Sequence, residues 1–310
     1  MKSENLYDLI DFQFAFSEEM IEANGEDSFY SDINESHSVL AVFDGCGGLG
    51  SKEYDNFNGK TGAYMASRVV SGATKKWFSV LPVKDEVEVY KQYIDKSFEI
   101  ANEYADKDTI VIKGSMRKPF PTTIALALNR ITKKGLETNF IWAGDSRGYV
   151  LDDNGLHQIT VDDINGEDAM SNLSNDGVLT NVAHLTGNYV LHNRKIILKK
   201  PSIIFCATDG CFGYLSTPME FENLLLETMS RSNSPDEWKK LLIETLRNYA
   251  CDDYTISLLA VGYNDFNKMK KSFIKRFQEL QQNYIVNLSE KVYEDKVELW
   301  NKYKNSYENY

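Results

Sequence analysis

Cysteine and histidine are both scarce, with four of each in 310 residues. No two cysteines are spaced as Cys-x-x-Cys, so neither a disulfide framework nor a structural zinc site is expected, and a reducing cytoplasm is the expected setting. His37, His157, His184 and His192 have no ligand spacing and read as surface or structural residues. Positive charge is short too. The chain carries 34 Lys and Arg against 46 Asp and Glu, a net charge of −12. That balance argues against a nucleic-acid backbone or an anionic lipid surface as the main partner. No run is apolar and long enough to span a bilayer. Residues 1–11 lack the basic-then-apolar order of a secretory leader. There is no internal repeat and no low-complexity tract.

Apolar residues make up 42% of the chain and aromatics 12%, which predicts a folded globule. Residues 11–16 alternate like a half-buried strand, and 28–32 follow suit. Residues 38–43, Ser-Val-Leu-Ala-Val-Phe, are continuously apolar, as in a strand covered on both faces. A polar, glycine-bearing loop is expected over 45–59. Helices are expected over 61–78 and 86–105, the second with Val87, Tyr90, Ile94, Phe98, Ala101 and Ala105 on one face. Strands are expected over 122–128, 139–143, 148–151, 195–198 and 202–207, with a turn at Gly135. Two more helices (219–231 and 235–249) precede a last strand, 254–261. Strands and helices do not alternate singly, so packed antiparallel sheets flanked by helix pairs fit better than a doubly wound parallel sheet. From residue 264 glycine and proline vanish. Phe266, Met269, Phe273, Phe277, Leu280, Tyr284, Leu288 and Val292 then follow a helical stripe. The stripe is expected to pack back on the rest of the chain; the other use is a helix that contacts a partner or a second copy.

Four aspartate-centred segments carry the chemistry. They are Asn24-Gly25-Glu26-Asp27, Asp44-Gly45-Cys46-Gly47-Gly48, Asp209-Gly210 and Asp252-Asp253-Tyr254-Thr255. Each Asp-Gly doublet alone is an ordinary turn signal. Three of the segments, however, adjoin apolar, β-branched runs, and carboxylates at strand ends can converge. Converging carboxylates repel one another unless a cation neutralises them, and an all-oxygen set suits a hard ion such as Mg²⁺ or Mn²⁺. Residues 45–50 also satisfy Gly-x-Gly-x-x-Gly after a strand. Here the motif runs into a polar stretch with two acids rather than opening a helix, which disfavours a dinucleotide site.

The ordered set resembles the metal-dependent protein phosphatases, the type 2C Ser/Thr family. Residues 24–28, 42–48, 122–125, 143–149 (Ala-Gly-Asp-Ser-Arg-Gly-Tyr), 158–163, 207–210 and 252–255 follow the family's order. The resemblance spans about residues 8–262. It implies an α+β, four-layer αββα sandwich of two antiparallel sheets flanked by helix pairs: a phosphatase domain over 1–262 with an amphipathic helical extension over 263–310. It also implies two or three Mn²⁺ or Mg²⁺ ions. Asp44 would bridge two of them, with the Gly45 carbonyl on one. Asp209 and Asp252 would complete one shell. Glu26 and Asp27 would act on the other ion, largely through water, and Asp145 with Asp209 would form a weaker third position. A water shared by two such ions would lose its proton near neutral pH and attack phosphorus in line.

Two departures stand out. The histidine of the family's Asp-Gly-His-Gly-Gly, which helps protonate the leaving alkoxide, is Cys46 here. The arginine that grips phosphate, five residues before the second acid of the first motif, is Glu22. Arg117 and Lys118 are candidate substitutes, and Arg147 reads as structural. The implied function is metal-dependent hydrolysis of phosphoserine and phosphothreonine in proteins, the substrate being a Ser/Thr kinase or its target, with activity weakened by the two replacements. The alternative is a pseudophosphatase of the same fold that acts as a partner-binding regulator.

Overall fold

A computed structural model describes residues 5–105, 118–166, 168–174, 178–288 and 293–310. The strands are β1 (Ile10–Glu18), β2 (Ser28–Ile33), β3 (His37–Phe43), β4 (Glu53–Tyr54), β5 (Lys60–Thr61), β6 (Ile124–Thr132), β7 (Gly135–Ala143), β8 (Arg147–Asp152), β9 (Gly155–Gln158), β10 (His192–Leu198), β11 (Ser202–Ala207) and β12 (Tyr254–Val261). The helices are α1 (Gly47–Gly50), α2 (Gly62–Phe78), α3 (Glu86–Tyr104), α4 (Ser171–Ser174), α5 (Pro218–Arg231), α6 (Pro235–Leu246), α7 (Phe266–Asn283) and α8 (Tyr293–Glu308).

Two five-stranded antiparallel sheets stack face to face, in the orders β1-β12-β11-β8-β9 and β10-β7-β6-β3-β2. The two-residue period of a strand explains the continuous apolar runs. On β3, Val39, Ala41 and Phe43 point to α2 and α3, where they meet Val70, Trp77, Tyr90 and Phe98. Leu40 and Val42 point the other way, into the interface between the sheets with Phe140, Val150, Ile204 and Leu259. The outer face of the first sheet packs on α5 and α6 through Phe14, Phe205, Leu258, Leu225 and Trp238. This is the expected four-layer sandwich.

Each of the flanking helices α2, α5 and α6 starts on a hydroxyl cap. Thr61, Thr217 and Ser234 accept the N–H groups of Tyr64, Glu220 and Glu237, and α5 and α6 each place proline in the first turn. The stretch 45–59 is less irregular than its polarity suggests. It contains α1 and leads into the small β4–β5 hairpin. Strand β9 was also not expected. At four residues it is too short for its alternation to register against the turn before it.

After β12 the chain turns sharply. Both oxygens of Asp11 are engaged, by the N–H groups of Tyr263 and Asn264 at 2.7 Å each. Asp265 then caps α7. The apolar stripe of α7 lies on the same core as the sheet: Phe266, Met269, Phe273 and Leu280 are buried, and Phe277 and Tyr284 are half-buried against it. Val292 lies outside the described residues. Helix α8 adds Leu299, Trp300, Tyr303 and Tyr307. Among the described residues no helix is long and apolar enough to cross a membrane.

Candidate metal centre

Strand register brings the acidic segments to one end of both sheets. Ser28 pairs with Phe43, so Asp27 and Asp44 leave neighbouring strands at the same level. Ile124 pairs with Ala143, which places the Asp145 turn beside them. In the other sheet Ala207 pairs with both Arg147 and Ile256, so Asp209 and Asp252 emerge at the corresponding edge. Asp44 is the hub. Burial raises its carboxyl well above the usual range, and the charges of Asp209, Asp27, Asp145 and Asp252 raise it further. Burial, with Asp209 and Asp162, pushes Asp145 up to about 8. Burial, with Asp252, pushes Asp209 up to about 6. Glu26 and Asp252 are raised too, mainly by burial.

Hydrogen bonds fix the frame around these acids. Asp44 donates its N–H to Thr123 Oγ1 at 3.1 Å, and that hydroxyl pairs with Ser146 Oγ at 2.6 Å, tying the β3 end to the turn that carries Asp145. Thr122 donates to the Asp44 carbonyl at 2.8 Å. Asp27 is buried, and its Oδ2 accepts the hydroxyls of Thr255 at 2.7 Å and Thr208 at 2.8 Å. Two glycines of the second motif, Gly45 and Gly47, answer to close packing. A Cβ on Gly45 would stand 2.5 Å from the Ala63 carbonyl oxygen, and one on Gly47 would stand 2.3 Å from Glu26 Oε2. Thr61 donates to the other oxygen of Glu26.

The residues present fit a hard divalent cation. Asp145 Oδ1 is buried with no hydrogen-bond partner among the described residues. Arg147, whose charge reaches Asp145 and Asp209, is committed to Asp162. The donors are all oxygen. Among the described residues no three His, Cys, Asp or Glu side chains stand close enough together to enclose one ion. Asp44, Asp209 and Asp252 thus share one field without closing a three-carboxylate shell. Mg²⁺-type ions are commonly held by one or two carboxylates with several waters.

The departures take definite places. Cys46 is half-buried, with its thiol 3.9 Å from the Asp44 carbonyl oxygen. Burial, and then Asp44, Asp145 and Asp209, drive its pKa well up, while Lys118 opposes them. The thiol therefore holds its proton. Lys118 is near enough for its charge to be felt at Cys46; Arg117 lies outside the described residues. Glu22 is exposed in the turn before Glu26.

Three residues that the sequence reading passed over matter here. Asp253 accepts the N–H of Met20 at 2.8 Å and of Glu26 at 2.6 Å, so it shapes the loop that presents Glu26. Arg68 donates to the Gly25 carbonyl at 2.8 Å. Lys60 donates to Asn24 Oδ1 at 2.9 Å and lines a 450 Å³ cavity with Glu26, Thr61 and Asp252. The doubled aspartate was the available signal for Asp253; nothing in the sequence marks Lys60 or Arg68. A second cavity, 320 Å³, opens at Asp145 and Asp209 and has Leu173, Leu179 and Phe212 in its wall. His37, His157 and His184 are buried; His37 and His184 pair with the neighbouring hydroxyls of Ser36 and Thr186, and His157 with the Ser306 carbonyl of α8.

Residues 21–247 match the model of the family described as protein phosphatase 2C. The chain belongs to that family. No curated protein matches it in sequence. Solved structures of bacterial members share the fold. The catalytic domain of the serine/threonine phosphatase PstP, in complex with two manganese ions, is 21% identical; the match covers 82% of this chain and 99% of that one at a TM-score of 0.53. Stp1 from Staphylococcus aureus is 16% identical over 81% of this chain and 94% of its own, at 0.58. The phosphatase MsPP from Mycobacterium smegmatis, in complex with cacodylate, is 13% identical over 82% and 99%, at 0.56. Type 2C membership agrees with the two-sheet architecture and with the segment order read from the sequence.

Proposed function

We propose that this type 2C family member hydrolyses phosphoserine and phosphothreonine in proteins, with Mn²⁺ or Mg²⁺ as cofactor. The observation that carries the reading is the acidic centre. Asp44, Asp145, Asp209, Asp252 and Asp27 lie at one end of the two sheets, where burial raises their pKa values and neighbouring carboxylates raise them further, with Arg147 spent on Asp162. A binding module gains nothing from that repulsion.

As the resemblance implies, Asp44, Asp209 and Asp252 would serve one ion, with waters completing the shell that the three carboxylates do not close by themselves. Asp44 and the Gly45 carbonyl would hold another, with Glu26 and Asp27 acting through water, and Asp145 with Asp209 would hold a third. Divalent ions so bound supply an activated water near neutral pH and offset charge on the phosphoryl oxygens. The chain's own residues do the rest. Thr208 and Thr255 hold Asp27 in one orientation. The protonated Cys46 thiol has a proton to give to a leaving alkoxide. Among the described residues, Lys60, and Lys118 on the Cys46 side, are cations placed to attract a phosphate dianion where the family's arginine is replaced by exposed Glu22. The substrate follows from the family: a phosphoprotein, with a Ser/Thr kinase or its target as the partner.

The test is hydrolysis of p-nitrophenyl phosphate and of a phosphothreonine peptide with and without Mn²⁺, beside Asp44→Ala. Mn²⁺-dependent turnover that Asp44→Ala lowers by at least about a hundredfold is the expected result. A folded chain that binds Mn²⁺ and turns over neither substrate is instead a pseudophosphatase.

A further inference from the structure

The connection between β9 and β10 passes the acidic centre, and helix α8 grips it from the far side. Asp168 is the gripping point. Its Oδ1 accepts the N–H groups of Ser171 at 2.9 Å and Met170 at 3.2 Å. Its Oδ2 accepts the indole N–H of Trp300 and the ammonium of Lys304, each at 2.9 Å. Trp300 and Lys304 are four residues apart, so one face of α8 presents both. The next residue along the chain is held from two sides. Ala169 donates its N–H to Glu308 Oε1 at 3.5 Å, and its carbonyl accepts from Arg147 Nη2 at 3.2 Å.

Arg147 links this strap to the acids. It is only 2% exposed and forms a bidentate pair with Asp162, with bonds of 2.7 and 3.0 Å. Asn172, in the gripped segment, donates to the same Asp162 at 2.8 Å. The guanidinium stands 4.3 Å from the centre of the Phe212 ring. Asp145, Arg147, Asp162, Asn172 and Asp209 line one cavity. A continuous set of hydrogen bonds therefore runs from α8 through residues 168–172 to Arg147 beside Asp145 and Asp209. A helix that merely covered an apolar face would need the rings of Trp300, Tyr303 and Tyr307. The polar grip on Asp168 is additional to that cover.

We propose that α8 is a positioning element for the acidic centre: Trp300 and Lys304, by holding Asp168, fix the segment that keeps Arg147 beside Asp145 and Asp209, and so set the affinity for the cation those two acids would bind. The proposal rests on the metal-dependent reading above. Trp300 and Lys304 reach the acids through Asp168, so both are expected to act on metal affinity and not on the chemical step.

The experiment is calorimetric Mn²⁺ titration of the full chain, with Mn²⁺-dependence of aryl phosphate turnover read in parallel. Lys304→Met and Trp300→Phe are expected to weaken the weakest Mn²⁺ step about three- to tenfold, less than the roughly 10–100-fold of residues that hold a ligand directly, because both act through Asp168 and Arg147. Asp145→Asn should abolish that step, and Lys304→Arg should restore it. Turnover of Lys304→Met and Trp300→Phe at saturating Mn²⁺ should return to the wild-type value. Lys304 is partly exposed, so Lys304→Met answers the question even if Trp300→Phe fails to fold. Lys304→Met with wild-type Mn²⁺ affinity, whatever its melting temperature, overturns the proposal and leaves α8 a structural cover. A wild-type chain that binds no Mn²⁺ overturns the metal-dependent reading itself, and that result is independent of every α8 variant.

Discussion

At the scale of single residues, the acidic centre exchanges stability for chemistry. Asp145 at about 8 and Asp209 at about 6 bind protons more tightly in the fold than in the unfolded chain, where a carboxyl titrates near about 4. Their contribution to stability without metal is therefore fullest below the unfolded value. It is lost progressively as pH rises towards about 6 for Asp209 and about 8 for Asp145. The metal-free melting temperature should fall between pH 5 and pH 8 on the order of that interval. Asp44 is raised by burial and by the charges of Asp209, Asp27, Asp145 and Asp252, so Asp44→Asn, which removes the charge they oppose, should flatten the decline. It should raise the metal-free melting temperature at about pH 8 by roughly 2–4 °C, equivalent to about 1 kcal/mol in a chain of this class. Differential scanning fluorimetry in chelator, across pH, measures both. An Asp44→Asn chain that melts lower than wild type in chelator would contradict the repulsion argument. The sequence marked Glu26, Asp27, Asp44, Asp209 and Asp252 through short motifs, most of them next to an apolar run, and Asp145 through the resemblance. It gave no sign of Lys60, which reaches the centre only because the β4–β5 hairpin folds back beside Asn24.

At the scale of elements, α7 is held by more than its apolar stripe. Glu222 of α5 is fully buried, and Arg276 of α7 meets it with two bonds of 2.6 Å each. The hydroxyl of Tyr303 in α8 donates to the same carboxylate. A buried pair of this kind gives little net stability, yet stranding one partner is costly. Arg276→Met should destabilise the chain by about 3–5 kcal/mol in urea unfolding, and Glu222→Leu combined with Arg276→Met should recover most of that loss. A single variant with an unchanged midpoint would mean that the Glu222 charge finds water. The helical stripe itself was legible from residues 266–288, since steps of three and four leave few other readings. Its polar anchors were not, because Glu222 and Arg276 lie 54 residues apart and each alone resembles a solvated surface charge.

For the molecule as a whole, the C-terminal helices share one apolar core with the outer face of the first sheet. Phe273, Leu280, Trp300 and Tyr307 lie in the same cluster as Tyr149, Leu151, Ile203 and Phe205. At about 1.5–3 kcal/mol for each large side chain fully buried, these residues carry a substantial share of the cover on that sheet. Deleting residues 264–310 should therefore yield aggregated or poorly soluble protein. Size-exclusion chromatography checks this; a truncated chain that elutes as a single sharp species with an unchanged melting temperature would show that α5 and α6 suffice to cover the sheet. The change of composition at residue 264 marks the helical extension, and the described part of that extension shares a continuous core with the sheet.

The sequence by itself determined most of the strands, the helix pairs and the acidic motifs, and the order of those motifs carried the resemblance that implied the αββα architecture. The strands and helices are set by local periodicity and the acids by short motifs, and such signals survive without knowledge of the fold. Tertiary structure alone decided that Asp253 shapes the Glu26 loop, that Arg147 is consumed by Asp162, and that α8 reaches Asp168. These are pairings between polar residues far apart in sequence. Any one of them is compatible with solvent until strand register and helix packing bring its partner within hydrogen-bonding distance and exclude the water that would otherwise compete.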